Sequence, residues 1–281
     1  MKKVLIIGSE GRLGSVLSLT LKKFFDCITP PHRELDITNY TQTVENIKKF
    51  QPQVVINAAG FTDVDLCEKE KEKAFAVNSE GAKNVALGCK LIGAKCIYFS
   101  TDYIFDGKKA EPYKEEDTPS PLSIYGKSKL KGERYVREIL DNYLIIRTSW
   151  LFSAYGSNFA NTIIKLAREK KEIKMVSDQI GSPTYVPDLS IAVLSLLKND
   201  LKGIFHIANT GYCSWQEFAQ KILNLIGSDL RLVPISLAQS ERLAPRPFYS
   251  PLSIEKLQKF TGLVMPHWED AVVRCLQAMN I

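Results

Sequence analysis

One tyrosine and one lysine stand four residues apart in a segment with a helical pattern. Tyr125 and Lys129 begin and end the string Y-G-K-S-K, and side chains at positions i and i+4 share one face of a helix. A phenol is a weak acid with an ordinary pKa near 10, and a neighbouring ammonium group favours its phenolate form. Such a pair can give a proton to a developing alkoxide. The spacing alone is expected about once by chance in this chain, but a helix that starts near Ser123, after Pro119 and Pro121, places both side chains on one face. In this setting the pair predicts proton transfer by Tyr125 with the help of Lys129.

Hydroxyl groups and a carboxylate follow a strongly apolar run upstream of this pair. Ser100, Thr101 and Asp102 come directly after the segment 97–99, which has the composition of a buried strand. Ligands of open α/β sheets bind beyond the carboxyl ends of the strands. A hydroxyl at that place can donate to a carbonyl oxygen that gains negative charge during hydride attack. This cluster is therefore predicted to lie in the same site as Tyr125.

Three glycines follow the first apolar run of the chain. Gly8, Gly11 and Gly14 give the spacing G-x-x-G-x-x-G directly after Val4–Ile7 and ahead of a helical pattern. A strand, a glycine turn and a helix in this order let the backbone approach a pyrophosphate, whose charge then lies at a helix N-terminus. The loop predicts a dinucleotide site.

The residues after the second strand bear on the choice of nicotinamide cofactor. An acidic residue there takes a ribose hydroxyl, whereas basic residues accommodate a 2′-phosphate. Arg33 follows the second strand and Arg12 lies in the glycine loop, while Glu34 offers a competing carboxylate. The two arginines favour NADPH, with NADH left open as a second cofactor.

Short apolar runs alternate with helical patterns up to about residue 150, which predicts a strand–helix repeat. Runs rich in Val, Ile and Leu without polar alternation are typical of strands covered on both faces. We therefore predict an α/β fold with a Rossmann-type doubly wound parallel sheet. The predicted strands are Val4–Ile7, Cys27–Thr29, Val54–Asn57, Cys96–Ser100 and Leu144–Arg147, and the helices are Leu13–Phe25, Thr41–Phe50, Ala74–Ile92 and Ile124–Leu140.

Prolines become frequent after Trp150, and the predicted elements become shorter. We expect a dinucleotide-binding domain over 1–150 and a smaller mixed C-terminal lobe over 151–281 that binds the substrate and is partly interleaved with the sheet. The cleft between the two parts is the expected ligand site. The predicted elements are helices over Asn158–Glu169, Asp188–Leu197, Ser214–Leu225 and His267–Met279, with strands over Ile173–Val176 and Ile204–Ile207.

Composition excludes several other classes of function. The net charge is +6, from 37 basic and 31 acidic residues among 281, and the excess is not interleaved with aromatic residues as a nucleic-acid surface requires. No apolar run is long enough for a membrane span, and the first one is too short for an export signal. Six scattered cysteines give no zinc or disulfide pattern. We expect a cytoplasmic chain, monomeric or homodimeric, that binds neither nucleic acid nor membrane.

Several strings together resemble the extended short-chain dehydrogenase/reductases and, within them, the dTDP-4-dehydrorhamnose reductases. The resemblance covers nearly the whole chain, and the strings of its second half are more specific than the Tyr–Lys pair. The strings are L-D-I-T at 35–38, N-A-A at 57–59, V-D at 64–65, S-T-D-Y-I-F-D-G at 100–107, Y-G-K-S-K at 125–129, R-T-S-W at 147–150, N-F at 158–159, D-Q-I-G-S-P-T at 178–184, S-W at 214–215 and R-P at 246–247.

The resemblance implies roles for individual residues. Tyr125 would be the proton donor and Thr101 its hydroxyl partner, in the reduction of the C4 carbonyl of a dTDP-4-keto-6-deoxy sugar. Phe61 stands where the family usually has Tyr or His. Some members hold Mg²⁺ between carboxylates at a dimer contact, but no matching acids are found here, so no metal is predicted. The dinucleotide would contact Gly11, Arg12, Leu13, Asp36, Ile37, Gly60, Phe61, Thr62, Tyr125 and Lys129, and the sugar nucleotide would contact Val64, Thr101, Asp102, Trp150, Asn158 and Arg246.

Two other readings share the fold and the glycine loop. One is a nucleotide-sugar epimerase or a reductase of another 4-keto sugar. The other is a non-catalytic NADP-binding regulatory subunit, which resembles this branch in methionine adenosyltransferase complexes. The presence of Thr101, Tyr125 and Lys129 together argues against the regulatory reading, because a purely regulatory role would not require all three.

Overall fold

The computed structural model describes residues 1–281 and contains twelve strands and eleven α-helices. The strands are β1 (Lys3–Ile7), β2 (Asp26–Ile28), β3 (Val54–Asn57), β4 (Lys95–Thr101), β5 (Tyr143–Thr148), β6 (Leu151–Phe152), β7 (Glu172–Val176), β8 (Ile180–Gly181), β9 (Thr184–Tyr185), β10 (Gly203–His206), β11 (Cys213–Ser214) and β12 (Arg231–Ile235). The helices are α1 (Arg12–Leu21), α2 (Tyr40–Phe50), α3 (Val64–Lys69), α4 (Lys71–Phe75), α5 (Gly81–Ile92), α6 (Ile124–Ile139), α7 (Phe159–Glu169), α8 (Val186–Lys198), α9 (Trp215–Leu225), α10 (Glu255–Thr261) and α11 (Trp268–Ala278).

Six strands form one parallel sheet in the order β10-β5-β4-β3-β1-β2. The chain leaves β1 toward β2 on one side and returns to β3 on the other, so the strand order reverses between β1 and β3. Ligands of doubly wound sheets bind beyond the carboxyl ends of the strands at such a reversal. The predicted Rossmann-type fold class is confirmed, and the sheet places the glycine loop after β1 beside the end of β3.

Alternate residues of the strands enter two separate cores, one on each face of the sheet. Ile97 and Phe99 of β4 pack with α1 and α8, whereas Cys96 and Tyr98 pack with α5 and α6. Side chains point alternately to opposite faces of a strand, so an uninterrupted apolar run serves both cores. This explains why these strands lack polar alternation in the sequence.

The later half of the chain contributes to the sheet and also has a core of its own. Strand β10 pairs with β5 at the edge of the sheet, and α8 packs against α1 with Leu189 and Val193 fully buried. A third core, around Phe218, joins α7, α9 and α11. Because β10 and α8 belong to the first core, the units 1–150 and 151–281 share structure, and their separate ligand roles remain a proposal.

Two differences from the predicted elements have local causes. The helix predicted over 13–25 ends at Leu21, because the next residues form a turn in which the N–H groups of Phe24 and Phe25 donate to the Leu21 carbonyl. The helix predicted over 74–92 is divided into α4, a π-helical turn (Ala76–Glu80) and α5. None of the helices combines the length and the apolar character needed to span a lipid bilayer.

Candidate active site

A cavity of about 460 Å³ opens at the carboxyl edge of the sheet, where the strand order reverses. Its walls come from the glycine loop, the ends of β3, β4 and β5, the start of α6, and Trp215. The cavity brings together residues that are far apart in sequence. The predicted site residues that line this cavity are Gly11, Arg12, Leu13, Gly60, Thr62, Val64, Thr101, Asp102, Tyr125, Lys129 and Trp150.

The other two predicted glycines shape the loop rather than line the cavity. Gly8 has φ +77°, and a Cβ there would lie 2.6 Å from the backbone nitrogen of Ala59. A Cβ on Gly14 would lie 2.2 Å from the carbonyl oxygen of Gly8. Both positions therefore exclude a side chain, and the tight turn leads directly into the N-terminus of α1, where Gly11 is the N-cap. Free N–H groups at a helix N-terminus favour an anion.

The two arginines of the cofactor prediction occupy different places. Arg12 donates from Nη1 to the Leu151 carbonyl at 3.2 Å and lines the cavity, and burial lowers the pKa of its guanidinium. Arg33 is exposed in the loop after β2. This loop contacts the glycine loop, since Glu10 accepts a hydrogen bond from the His32 backbone nitrogen at 2.9 Å. Arg33 thus stands beside the glycine loop with a side chain open to solvent.

Three residues of the predicted dinucleotide set lie outside the cavity. The carboxylate of Asp36 accepts hydrogen bonds from the backbone and side chain of Thr38. The side chain of Ile37 is buried in the core against α5. The ring of Phe61 lies under the ammonium group of Lys73, at 4.8 Å from the ring centroid. Their contacts with a dinucleotide remain predictions.

Helix α6 carries the Tyr–Lys pair and begins at a capped end. Ser123 is the N-cap, and its side chain accepts from the Gly126 backbone nitrogen. The ring of Tyr125 meets that of Tyr103 edge-on, with centroids 6.1 Å apart. Lys129 is 4% exposed, and its Nζ lies 4.3 Å from the centroid of Tyr98. Burial lowers the pKa of Lys129 to about 7, although the charge of Glu133 opposes this change.

Thr101, Asp102 and Tyr125 form a connected polar group. Burial raises the pKa of Tyr125 above its usual value, and the neighbouring Thr101 side chain acts in the opposite direction. The Thr101 hydroxyl donates to Asp102 Oδ1 at 3.0 Å and accepts from the Tyr103 backbone nitrogen at 3.2 Å. Asp102 is 2% exposed, and burial raises its pKa to about 7 against the hydrogen bonds it accepts from Ser250 and Thr101.

The π-helical turn supplies a residue that sequence reasoning missed. Asn78 is 1% exposed; it accepts from the Phe61 backbone nitrogen and donates to the Phe61 carbonyl, both at 2.9 Å. It also donates to Ser128 on α6 at 3.0 Å, and its carbonyl accepts from the Tyr98 hydroxyl at 2.8 Å. Asn78 thus ties the loop after β3 to α6 and β4. A lone Asn in a helical pattern gives no sequence signal for this role.

A second cavity of about 370 Å³ adjoins the first, because both are lined by Val64, Tyr103 and Trp215. Arg246 lines it and pairs with both oxygens of Asp65, at 3.1 and 2.9 Å. Burial alone would raise the pKa of Asp65, but the hydrogen bonds and charges of Arg246 and its neighbours outweigh this effect and lower the pKa of the carboxyl to about 2. This cavity combines aromatic walls with two arginines, the second being Arg242.

Trp150 and Asn158 have different surroundings. Trp150 has φ +46° and stacks on Trp215, with centroids 3.6 Å apart and planes at 8°. Trp215 in turn donates to Gln179 at 3.0 Å, and Gln179 donates to the Tyr103 hydroxyl at 3.2 Å. This network joins both cavities and was not assigned from the sequence. Asn158 lines neither cavity; it caps α7 and donates to the Ser153 carbonyl at 2.9 Å.

Unpartnered polar atoms concentrate at the first cavity. Arg12 Nε, Ser100 Oγ, Thr148 Oγ1 and Trp150 Nε1 are buried without a hydrogen-bond partner, and all four residues line this cavity. Buried polar atoms are nearly always hydrogen-bonded. The cavity therefore fits a polar ligand, and a dinucleotide at the glycine loop matches both the donors and the tight turn.

Comparisons with known proteins agree over the full length of the chain. The family model described as RmlD substrate binding domain matches residues 1–281. The spore coat polysaccharide biosynthesis protein SpsK of Bacillus subtilis is 41% identical, with 99% of this chain and 98% of the relative covered. The dTDP-4-dehydrorhamnose reductase of Sinorhizobium fredii is 34% identical, with 99% and 97% covered.

A solved structure is equally similar. The dTDP-4-dehydrorhamnose reductase of Bacillus anthracis, in complex with NADP, is 42% identical, has a TM-score of 0.96 and covers 99% of both chains. The chain therefore belongs to the RmlD substrate binding domain family, in which the dTDP-4-dehydrorhamnose reductases are its full-length relatives.

Proposed function

We propose that this protein reduces the C4 carbonyl of dTDP-4-dehydro-L-rhamnose to give dTDP-L-rhamnose, with NADPH as the reductant. The observation that carries the proposal is the meeting of Thr101, Tyr125 and Lys129 in one cavity whose opposite wall is the glycine loop. Full-length relatives bear the name of this reductase. A proton donor beside a dinucleotide site is what carbonyl reduction requires.

The dinucleotide is proposed to lie along the glycine loop, with its pyrophosphate at the N-terminus of α1. When bound, the cofactor supplies the hydride. Arg12 points toward Leu151 within the cavity, so we propose Arg33 rather than Arg12 for the 2′-phosphate. Its exposed guanidinium beside the glycine loop leaves room for such a group.

The side chains of this protein handle the proton. Tyr125 keeps its proton through neutral pH, because burial raises its pKa, and it gives that proton to the alkoxide that forms at C4. Thr101 stabilises the phenolate left behind, and the ammonium of Lys129 adds a positive charge on the same face of α6. Ser100 and Thr148, both buried and unpartnered at the cavity wall, are available to hold polar groups of the ligands.

The nucleotide part of the sugar substrate is proposed to enter the second cavity. Its aromatic walls fit a flat base, and Arg246 and Arg242 fit a diphosphate. Val64 and Trp215 line both cavities, and Trp150 of the first cavity stacks on Trp215, so these residues can hold the sugar at the junction. We propose accordingly that 1–150 binds the dinucleotide and that 151–281 supplies most of the sugar-nucleotide site.

The test is NADPH consumption with a panel of dTDP- and UDP-linked 4-keto sugars. We expect the dTDP-4-keto-6-deoxy sugar to be reduced with a kcat/KM at least tenfold above that of the UDP compounds. Isomerisation of the sugar without net consumption of NADPH would instead identify an epimerase. Binding of NADPH with no turnover of any sugar would favour a regulatory subunit.

A further inference from the structure

The hydrogen-bonded group Thr101–Asp102–Ser250 links the end of β4 to the C-terminal part of the protein, and Tyr125 of α6 lines the same cavity as Thr101 and Asp102. Ser250 is fully buried and donates to Asp102 Oδ2 at 2.6 Å. The Thr101 hydroxyl oxygen lies 3.0 Å from the other oxygen of Asp102 and is hydrogen-bonded to it. Both oxygens of Asp102 are therefore held by the protein itself.

The capacity of the Thr101 hydroxyl decides the direction of this chain. A hydroxyl has one proton to donate and two lone pairs. One lone pair of Thr101 is taken by the Tyr103 backbone nitrogen, which donates to it at 3.2 Å. If Asp102 is ionised, Thr101 must donate to it, and the phenol of Tyr125 can then bond to Thr101 only as the donor. The proton of Tyr125 is in that case directed away from the substrate.

A neutral Asp102 reverses both bonds. Its own O–H donates to Thr101, which fills the second lone pair of that hydroxyl, so the Thr101 proton can only be directed to Tyr125. We propose that Asp102 is a positioning residue that acts in its neutral form, turning the Thr101 hydroxyl so that Tyr125 can release its proton to the substrate. The proton transferred in the reduction is still that of Tyr125; Asp102 keeps its own. This proposal rests on the proposed carbonyl reduction.

The groups around Asp102 are consistent with a neutral form near pH 7. Burial raises its pKa to about 7. From neighbouring elements it is faced by the phenols of Tyr103 and Tyr125, whose own pKa values its negative charge helps to raise. Lys129 lines the same cavity, and Arg246 acts on Tyr103. The two oxygens of Asp102 bond to the neutral hydroxyl groups of Thr101 and Ser250 rather than to a cation.

The test uses Asp102→Asn, since an amide can donate to Thr101 and accept from Ser250 as a neutral Asp102 would. We expect the single-turnover rate of hydride transfer in the wild-type protein to fall about tenfold or more between pH 6 and pH 8.5. In Asp102→Asn the rates at the two pH values should agree within about a factor of two. Ser250→Ala should move the decline to higher pH, because Asp102 loses a hydrogen bond that favours its charged form.

Asp106→Asn is the matched control, because Asp106 belongs to the same sequence string but bonds to Tyr113 outside the cavity; it should keep the wild-type pH profile. If the rate of Asp102→Asn still declines with pH, the decline belongs to another group such as Lys129, and the proposal is overturned.

An infrared titration of the ligand-free protein provides a second measurement of the protonation state of Asp102. A protonated carboxyl band that is present at pH 6, lost by pH 8.5 and absent from Asp102→Asn supports the proposal; its absence at pH 6 contradicts it. Failure of every sugar to react, with the infrared band present, would contradict the proposed function alone.

Discussion

Burial acts in opposite directions on the two functional groups of α6. It raises the pKa of Tyr125, and it lowers that of Lys129 to about 7. Both changes follow from the cost of placing a charge in a poorly solvated site, which favours the neutral phenol and the neutral amine. Burial therefore keeps Tyr125 protonated near neutral pH, as a proton donor must be before it reacts, and an anionic neighbour favours the charged form of Lys129.

Substitutions along this group should separate chemistry from binding. We expect Tyr125→Phe to lower kcat by about 10²- to 10⁴-fold, with the Kd for NADPH changed by less than about threefold, because the ring and its packing stay. Lys129→Met should lower kcat and also weaken the binding of NADPH. Thr101→Val should lower kcat by about 10- to 100-fold. Steady-state kinetics and fluorescence titration of NADPH measure the two effects. A Tyr125→Phe protein that retains most of its kcat would overturn the assignment.

Arg33 provides the test of cofactor choice. If its exposed guanidinium binds the 2′-phosphate, Arg33→Ala should weaken the binding of NADPH by about tenfold, which corresponds to the loss of about 1.4 kcal/mol. The Kd for NADH should stay unchanged. The difference between the two cofactors should shrink with rising salt. Arg168→Ala, which removes an exposed arginine of α7, is the control. Equal Kd values for NADPH and NADH in the wild-type protein at low ionic strength would contradict the proposal.

At the scale of elements, α6 is fixed to the sheet by a buried ion pair one turn beyond Lys129. Glu133 and Arg147 of β5 are 1% and 2% exposed, and the guanidinium bonds to both carboxylate oxygens, at 3.0 and 2.8 Å. Arg147 also donates to the Glu115 carbonyl at 3.1 Å. The pair holds the helix that carries Tyr125 in register with the strand that ends at the cavity.

Replacing only one member of the Glu133–Arg147 ion pair should destabilise the protein much more than replacing both members. Arg147→Met leaves the Glu133 carboxylate buried without its partner, and we expect a loss of about 3–5 kcal/mol in the free energy of unfolding. The double variant Glu133→Gln with Arg147→Met leaves no charged group of the pair buried and should recover a large part of that loss. Urea denaturation measures both. A double variant no more stable than the single one would show that the contribution comes from packing rather than from the charges.

At the scale of the whole molecule, the sheet and the later half of the chain share one core. Strand β10 completes the sheet edge, and α8 covers its face together with α1. Neither half therefore buries its apolar surface without the other. The two cavities lie where the halves meet, and Arg246 of the C-terminal part pairs with Asp65 of α3 across this boundary.

We therefore expect a single unfolding transition. Trp215 and Trp268 belong to 151–281, and Trp150, the last residue of 1–150, stacks on Trp215, so tryptophan fluorescence reports mainly on the later part, whereas far-ultraviolet circular dichroism reports on the helices of both parts. Urea transitions followed by fluorescence and by circular dichroism should coincide, as two-state unfolding requires. Separate midpoints would mean that the halves fold independently. A fragment ending at residue 150 should fail to fold, because it lacks β10 and α8.

Local sequence was sufficient to determine the main elements and to indicate a chemistry for the site. The apolar runs, the glycine spacing and the Tyr–Lys pair are short-range patterns, and each follows from the geometry of a single strand, turn or helix. The fold class and the family resemblance of the sequence were confirmed. Which cofactor and sugar contacts the individual residues make is still a prediction.

Only the tertiary structure decided the long-range contacts. Ser250 and Asp102 are 148 positions apart, and Asn78 reaches Ser128 from a π-helical turn that no periodicity indicates. The different placement of Arg12 and Arg33 also depends on how the loops after β1 and β2 meet. Such contacts depend on which distant segments pack together, and a single chain read locally holds no signal for that pairing.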